Sequence, residues 1–267
     1  VGKSLVAVTL ARLYGPTAIA TSTVQLQEQY LRDFSREGLK VLKGKRNFHC
    51  ARAHDTCEIG GRLKLGCTND GGFCPYAMAK NEALAAPLLV ANYHSFWRHM
   101  PVGVKSGATA ALDEVAVRRK LLVLDECHTV EQTVLDLASI TVRLADIPVT
   151  MPTLPPSPSD PTAYYTWLDA VQPVLLGLLG SYNREGDWTS AAKMEELTQK
   201  IALVQFNRSK DIRAEYIVER GQLDGGGLDE NWFTLKPLHV RYVAAQIWRG
   251  FPKVLFMSAT ILNAWEF

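Results

Sequence analysis

Apolar positions recur along this chain with two different periods, and the alternation between them lays out the elements. Leu5 to Tyr14 follows helical spacing and is closed by Gly15-Pro16. Thr17–Thr21 is a short β-prone run. Gln25–Arg36 returns to helical spacing, with Leu26, Tyr30, Leu31 and Phe34 apolar. Leu39–Leu42 predicts another strand. Periodicity is lost over residues 44–75 and resumes as a helix near Tyr76–Ala85. Leu88–Ala91 and Leu121–Leu124 are uninterrupted apolar runs, the form that buried parallel strands take. Strands alternating with helices predict an α/β sheet.

The pattern then changes. Residues 148–161 hold six of the chain's 13 prolines, which predicts a loop. Two long helical stretches follow, about Ala163–Tyr182 and Ala191–Asn207, and suggest a helical insertion. Gly225-Gly226-Gly227 marks a further loop. Sheet character returns at Trp232–Leu235 and at Val254–Met257. Leu121–Leu124 and Val254–Met257 are expected as parallel members of one sheet.

Composition sharpens this picture in two ways. The 267 residues are 47% hydrophobic, an ordinary value for a folded protein, and predict one large domain or two small ones. No run approaches the roughly 18 apolar residues of a membrane span, so no membrane partner is expected. The chain opens Val1-Gly2-Lys3-Ser4 without a charged leader. Because Val1 is not Met, the natural beginning is expected upstream. The net charge of +2 excludes a uniformly basic coat, but residues 32–64 hold nine Lys/Arg against four Asp/Glu. An acidic partner is expected there.

Three short motifs carry candidate chemistry. Gly2-Lys3-Ser4 ahead of a helix has the form of the tail of a phosphate-binding loop. Backbone N–H groups at the helix start attract phosphate oxygens, Lys3 neutralises their charge, and the Ser4 hydroxyl binds Mg²⁺. Leu121-Leu122-Val123-Leu124-Asp125-Glu126-Cys127-His128 puts two carboxylates at the carboxyl end of a buried strand, where open α/β sheets bind ligands. Asp125 would hold Mg²⁺, and Glu126 would orient or deprotonate the attacking water. Cys127 reads as a small buried residue. Val254-Leu255-Phe256-Met257-Ser258-Ala259-Thr260 is another strand ending in hydroxyl residues. In this order, GKS, DECH and SAT resemble the first-domain signature of superfamily 2 helicases.

Four of the five cysteines, Cys50, Cys57, Cys67 and Cys74, fall within 25 positions. Their spacing does not fit the tight pairs of structural zinc sites. Four thiolates can hold an iron–sulfur cluster, whose ligands need not be close in sequence. His49 and His54 keep zinc open, and with it the reading of a non-catalytic, zinc-stapled nucleic-acid-binding module. The cysteines lie between the GKS and DECH motifs, directly after Val41-Leu42-Lys43-Gly44-Lys45-Arg46-Asn47-Phe48-His49-Cys50. This placement resembles the XPD/DinG family of iron–sulfur helicases. Gln25-Leu26-Gln27-Glu28-Gln29-Tyr30, Asn92-Tyr93-His94 and Leu235-Lys236-Pro237-Leu238 add to the resemblance.

The resemblance implies an α/β fold: a RecA-like P-loop parallel sheet over 1–45, 76–140 and 232–267. An iron–sulfur domain would interrupt it at 46–75, and a mostly helical Arch-like insertion at 141–231. It implies an ATP-dependent DNA helicase moving 5′ to 3′ on single-stranded DNA, a monomer using ATP, Mg²⁺ and a 4Fe–4S cluster, and cytoplasmic (nucleoid-associated) if prokaryotic. Gly2, Lys3 and Ser4 would bind nucleotide, and Lys3, Asp125, Glu126 and His128 would serve hydrolysis. Ser258 and Thr260 would couple nucleotide state to DNA, and Cys50, Cys57, Cys67 and Cys74 would ligate the cluster. Among the basic residues Lys43, Lys45, Arg46, Arg52, Arg62 and Lys64, the DNA contacts would fall on Lys45, Arg46, Arg62 and Lys64. Phe48 and Phe73 would stack on bases or pack beside the cluster. A second RecA-like domain is expected beyond Phe267, and the 267-residue chain alone is expected to turn over ATP negligibly.

Overall fold

Five of the apolar runs assemble into one parallel sheet in the computed structural model, which describes residues 2–50, 55–57, 74–99, 119–147, 149–208, 214–222, 228–248 and 250–259. The strands are β1 (Thr17–Thr21), β2 (Leu39–Leu42), β5 (Leu88–Asn92), β6 (Leu121–Asp125) and β10 (Val254–Met257), in the order β10-β6-β1-β5-β2. Every pairing in it is parallel. Val254 to Met257 lie opposite Leu122 to Asp125, so the two runs expected to share a sheet do so. All five residues of β1 and of β6 are buried, as in a sheet covered on both faces.

Helices α1 (Lys3–Tyr14), α2 (Val24–Phe34), α3 (Pro75–Ala85) and α4 (Tyr93–His99) alternate with these strands. Thr23 caps α2 by accepting from the Leu26 N–H at 3.2 Å. Ala7, Val8 and Ala11 of α1 pack with Ile19, Tyr30, Val90 and Val123 in one core. At the amino end of the sheet, Arg119 is buried and donates to three carbonyls: Thr17 at 2.8 Å, Leu84 at 3.1 Å and Ala83 at 3.3 Å. The last two are otherwise orphan carbonyls at the end of α3. The connection after β1 leads to β2 on one side of the sheet, and the connection after β6 leads to β10 on the other. The carboxyl ends of β1 and β6 therefore flank a topological switch point, where such sheets bind ligands.

The chain divides into two compact units, Val1–Thr133 with Ala245–Phe267, and Val134–Ala244. The second is built from β7 (Ile140–Arg143), α6 (Pro161–Glu185), α7 (Trp188–Asn207), β8 (Tyr216–Gln222) and β9 (Leu228–Pro237). Asp160 and Asp187 cap the two helices, accepting from Thr162 and Ser190 N–H groups at 3.1 Å. Helix α5 (Val130–Ala138) precedes β7, and α8 (Arg241–Trp248) follows β9. Tyr164, Trp167, Leu168 and Leu175 of α6 pack with Phe233 and Leu235 of β9. Gly221 lets β8 pass beneath Trp232, because a Cβ there would meet the indole at 2.8 Å.

The strands of this region divide between the two units. Trp232–Leu235 belongs to β9, which pairs antiparallel with β7 and β8 and takes no part in the parallel sheet. Residues 232–244 fall in the second unit. That unit carries a three-stranded sheet, so 141–231 holds β8 and most of β7 beside its two long helices. Alternating residues in β7, β8 and β9 face the α6–α7 pair. A half-buried antiparallel strand of four to seven residues gives a weaker apolar signal than a fully buried parallel one.

Candidate nucleotide site and cysteine group

The GKS motif starts α1, with Gly2 at φ 102° as its N-cap. Such a positive φ is strained for any residue with a Cβ. The acidic motif ends β6, and the chain turns sharply there: Glu126 has φ 59°, the one positive φ at a non-glycine among the described residues. The fold brings these two termini together. Lys3 Nζ donates to Glu126 Oε1 across 123 positions of sequence. Both side chains are partly exposed, so the pair faces the solvent side of the switch point.

Asp125 sits behind that pair and is buried. Its Oδ2 accepts from the Tyr30 hydroxyl at 3.0 Å, and its Oδ1 accepts from the Glu126 N–H at 3.0 Å. The Tyr93 hydroxyl donates to the Asp125 carbonyl at 2.8 Å. Burial raises the Asp125 carboxyl above the ordinary range, while the Tyr30 hydrogen bond and the Lys3 charge pull it back. Burial, followed by the Asp125 charge, raises the Tyr30 phenol, and nearby Ser4 acts in the opposite sense. Tyr30 and Asp125 thus form a hydrogen-bonded pair, with Ser4 near them, beside Lys3 and Glu126. Tyr30 and Tyr93 enter the sequence reading only as an apolar helix position and as part of a family match.

The third motif adjoins the second. His128 Nδ1 and Ser258 Oγ share a hydrogen bond of 2.8 Å, and His128 Nδ1 lies 3.4 Å from Glu126 Oε2. His128 therefore ties the ends of β6 and β10. Thr260 lies outside the described residues. Cys127 is buried, as expected of a small core residue.

No protein-family model matches the chain, and no curated protein matches it. Among solved structures, one titled "Truncated XPD" is similar over 97% of this chain and 86% of that chain, at 12% identity and a TM-score of 0.49.

The cysteines gather around β3 (His49–Cys50), β4 (Asp55–Thr56) and the start of α3. β3 and β4 pair antiparallel, and Cys57 follows directly, its N–H donating to the Phe48 carbonyl at 2.7 Å. Cys74 is the N-cap of α3, and its sulfur accepts from the Ala77 N–H at 3.5 Å. Burial pushes the Cys57 thiol up to about 11, with further contributions from Cys74 and Cys50, while Lys45 acts in the opposite sense. Cys57 therefore lies near both Cys74 and Cys50. Among the described residues, no three His, Cys, Asp or Glu side chains form a group able to hold a metal. Cys67 and His54 lie outside the described residues, and His49 is exposed on β3.

The basic residues divide. Lys43 is ion-paired with Glu28. Lys45 and Arg46 are exposed, and Lys45 Nζ stands 5.8 Å from the Tyr76 ring centre. Phe48 packs edge-on against Tyr76 at 5.4 Å, which favours packing over base stacking. Lys80, absent from the sequence reading, is half-buried near Lys45, and burial with that like charge lowers its ammonium pKa. Arg52, Arg62, Lys64 and Phe73 lie outside the described residues. Among the described residues no helix is long and apolar enough to cross a membrane.

Proposed function

We propose that the parallel sheet is the RecA-like nucleotide-binding domain of an ATP-dependent, iron–sulfur DNA helicase of the XPD/DinG type. The observation that carries this reading is the meeting of Lys3 with Glu126, beside the buried Asp125, at a topological switch point. An acidic strand end facing solvent has no need of a lysine from a distant helix N-terminus. Gly2 and Lys3 would hold the nucleotide phosphates, and Ser4 and Asp125 would hold Mg²⁺. The ion supplies charge neutralisation during phosphoryl transfer. Glu126 would orient and deprotonate the attacking water, with His128 completing the box and linking it to Ser258. Without nucleotide, Lys3 is neutralised by Glu126. Binding phosphate then exchanges one charge partner for another.

Cys50, Cys57, Cys67 and Cys74 are proposed as the ligands of a 4Fe–4S cluster, with 46–75 as its domain and the second unit as the Arch-like insertion. Soft thiolates suit iron–sulfur ligation, and Cys57 lies near Cys50 and Cys74. Among the described residues the cysteines do not by themselves make a metal-holding group. Lys45, Arg46, Arg62 and Lys64 are proposed to contact single-stranded DNA phosphates.

The test is nucleotide binding by the 267-residue chain, read with a fluorescent ADP analogue and Mg²⁺. Lys3→Ala should weaken binding roughly 10- to 100-fold, the weight of a hydrogen bond from a charged group. Glu126→Gln should retain binding, because it keeps Lys3 and releases it from its acidic partner. Absence of binding by the wild-type chain, or equal binding by Lys3→Ala, defeats the reading.

A further inference from the structure

We infer that Tyr30 is a positioning residue for the divalent cation, an inference that rests on the nucleotide-site reading above. Tyr30 lies on α2, is fully buried, and its hydroxyl donates to Asp125, one of the two proposed Mg²⁺ ligands; Ser4, the other, stands close enough to influence the phenol. A phenol has one proton to donate. Its proton goes to Asp125 Oδ2 at 3.0 Å. The Glu126 N–H takes one site on Asp125 Oδ1 at 3.0 Å. Each carboxylate oxygen is thereby held by one donor and retains a further lone pair. Tyr30 thus sets the rotation of the Asp125 carboxylate at the end of β6.

The ring makes this arrangement stiff. It sits in the core with Ile19, Leu39 and Val90, and its centre is 6.1 Å from that of Phe34. The hydroxyl cannot swing away without repacking these side chains. Groups of this kind orient metal ligands without touching the metal, and their loss costs typically 10- to 100-fold in metal affinity.

The test compares the wild-type 267-residue chain with Tyr30→Phe, which keeps the ring. Affinity for a fluorescent ADP analogue is measured with Mg²⁺ and again with EDTA. Tyr30→Phe should lose about 10-fold or more of the affinity gained on adding Mg²⁺, with its EDTA affinity unchanged. A variant that keeps the full Mg²⁺ gain overturns the inference. So does one that loses affinity equally in EDTA, since Tyr30 would then shape the site only in general. A wild-type chain that binds no nucleotide defeats the nucleotide-site reading and this inference together, an outcome distinct from the other two. Should Tyr30→Phe fail to fold, the wild-type chain decides. Adding Mg²⁺ to the ADP-loaded protein should give a tyrosine difference-absorption band, and its absence overturns the inference.

Discussion

Glu126 holds a left-handed backbone that costs a residue with a Cβ roughly 1–2 kcal/mol. Its partly exposed ion pair with Lys3 returns about 0–1 kcal/mol. The balance is unfavourable to folding, and strain of this kind collects at functional sites. The turn aims the carboxylate at Lys3 and His128 while leaving Asp125 behind it. Glu126→Gly should therefore leave thermal stability unchanged or raise it by a few degrees, since ~1 kcal/mol moves a midpoint by ~2–4 °C at this size. Under the proposed function it should also abolish any ATP turnover that the site supports. A melting midpoint lowered by more than ~5 °C would show that the turn serves folding.

Three separate elements bring the described cysteines together: Cys50 ends β3, Cys57 follows β4, and Cys74 caps α3. None of these elements is long. β3 and β4 have two residues each, and a two-stranded hairpin is marginal in water without further support. A cluster bonded to all four cysteines would supply that support, as metal binding does in other small metal-stabilised modules. Protein purified without oxygen should be brown, with broad visible absorption and iron and sulfide in equal amounts. Cys57→Ser should remove the colour while leaving the nucleotide affinity of the parallel-sheet unit intact. A colourless protein with stoichiometric zinc would instead favour the zinc-stapled module.

The whole chain carries a net charge of only +2, yet nine of its basic residues lie in 32–64. Affinity for single-stranded DNA should thus be concentrated there. If Lys45, Arg46, Arg62 and Lys64 each neutralise one phosphate, log affinity should fall with log salt at a slope of about −3, from about −0.7 per contact. Replacing the four by Gln should flatten that slope, and an unchanged slope would move the DNA contacts elsewhere. Lys43 is left out of the set because Glu28 already holds it.

The sequence alone determined the strands of the parallel sheet and most helices. Thr17–Thr21 and Leu39–Leu42 were legible to the residue, because each is a short β-prone or apolar run that starts directly after a glycine turn, Gly15-Pro16 and Gly38. It also located the two motifs of the proposed nucleotide site, since a helix start after Gly-Lys-Ser and an acidic strand end are local features. Partners are not local. The apolar run Trp232–Leu235 showed a strand, but its period shows only which faces are buried, and tertiary structure paired it with Ile140–Arg143. Tyr30 was legible as a buried helix position. Its hydroxyl gained meaning only when folding set it against Asp125, 95 residues away, because a polar atom in the core must find its partner in space.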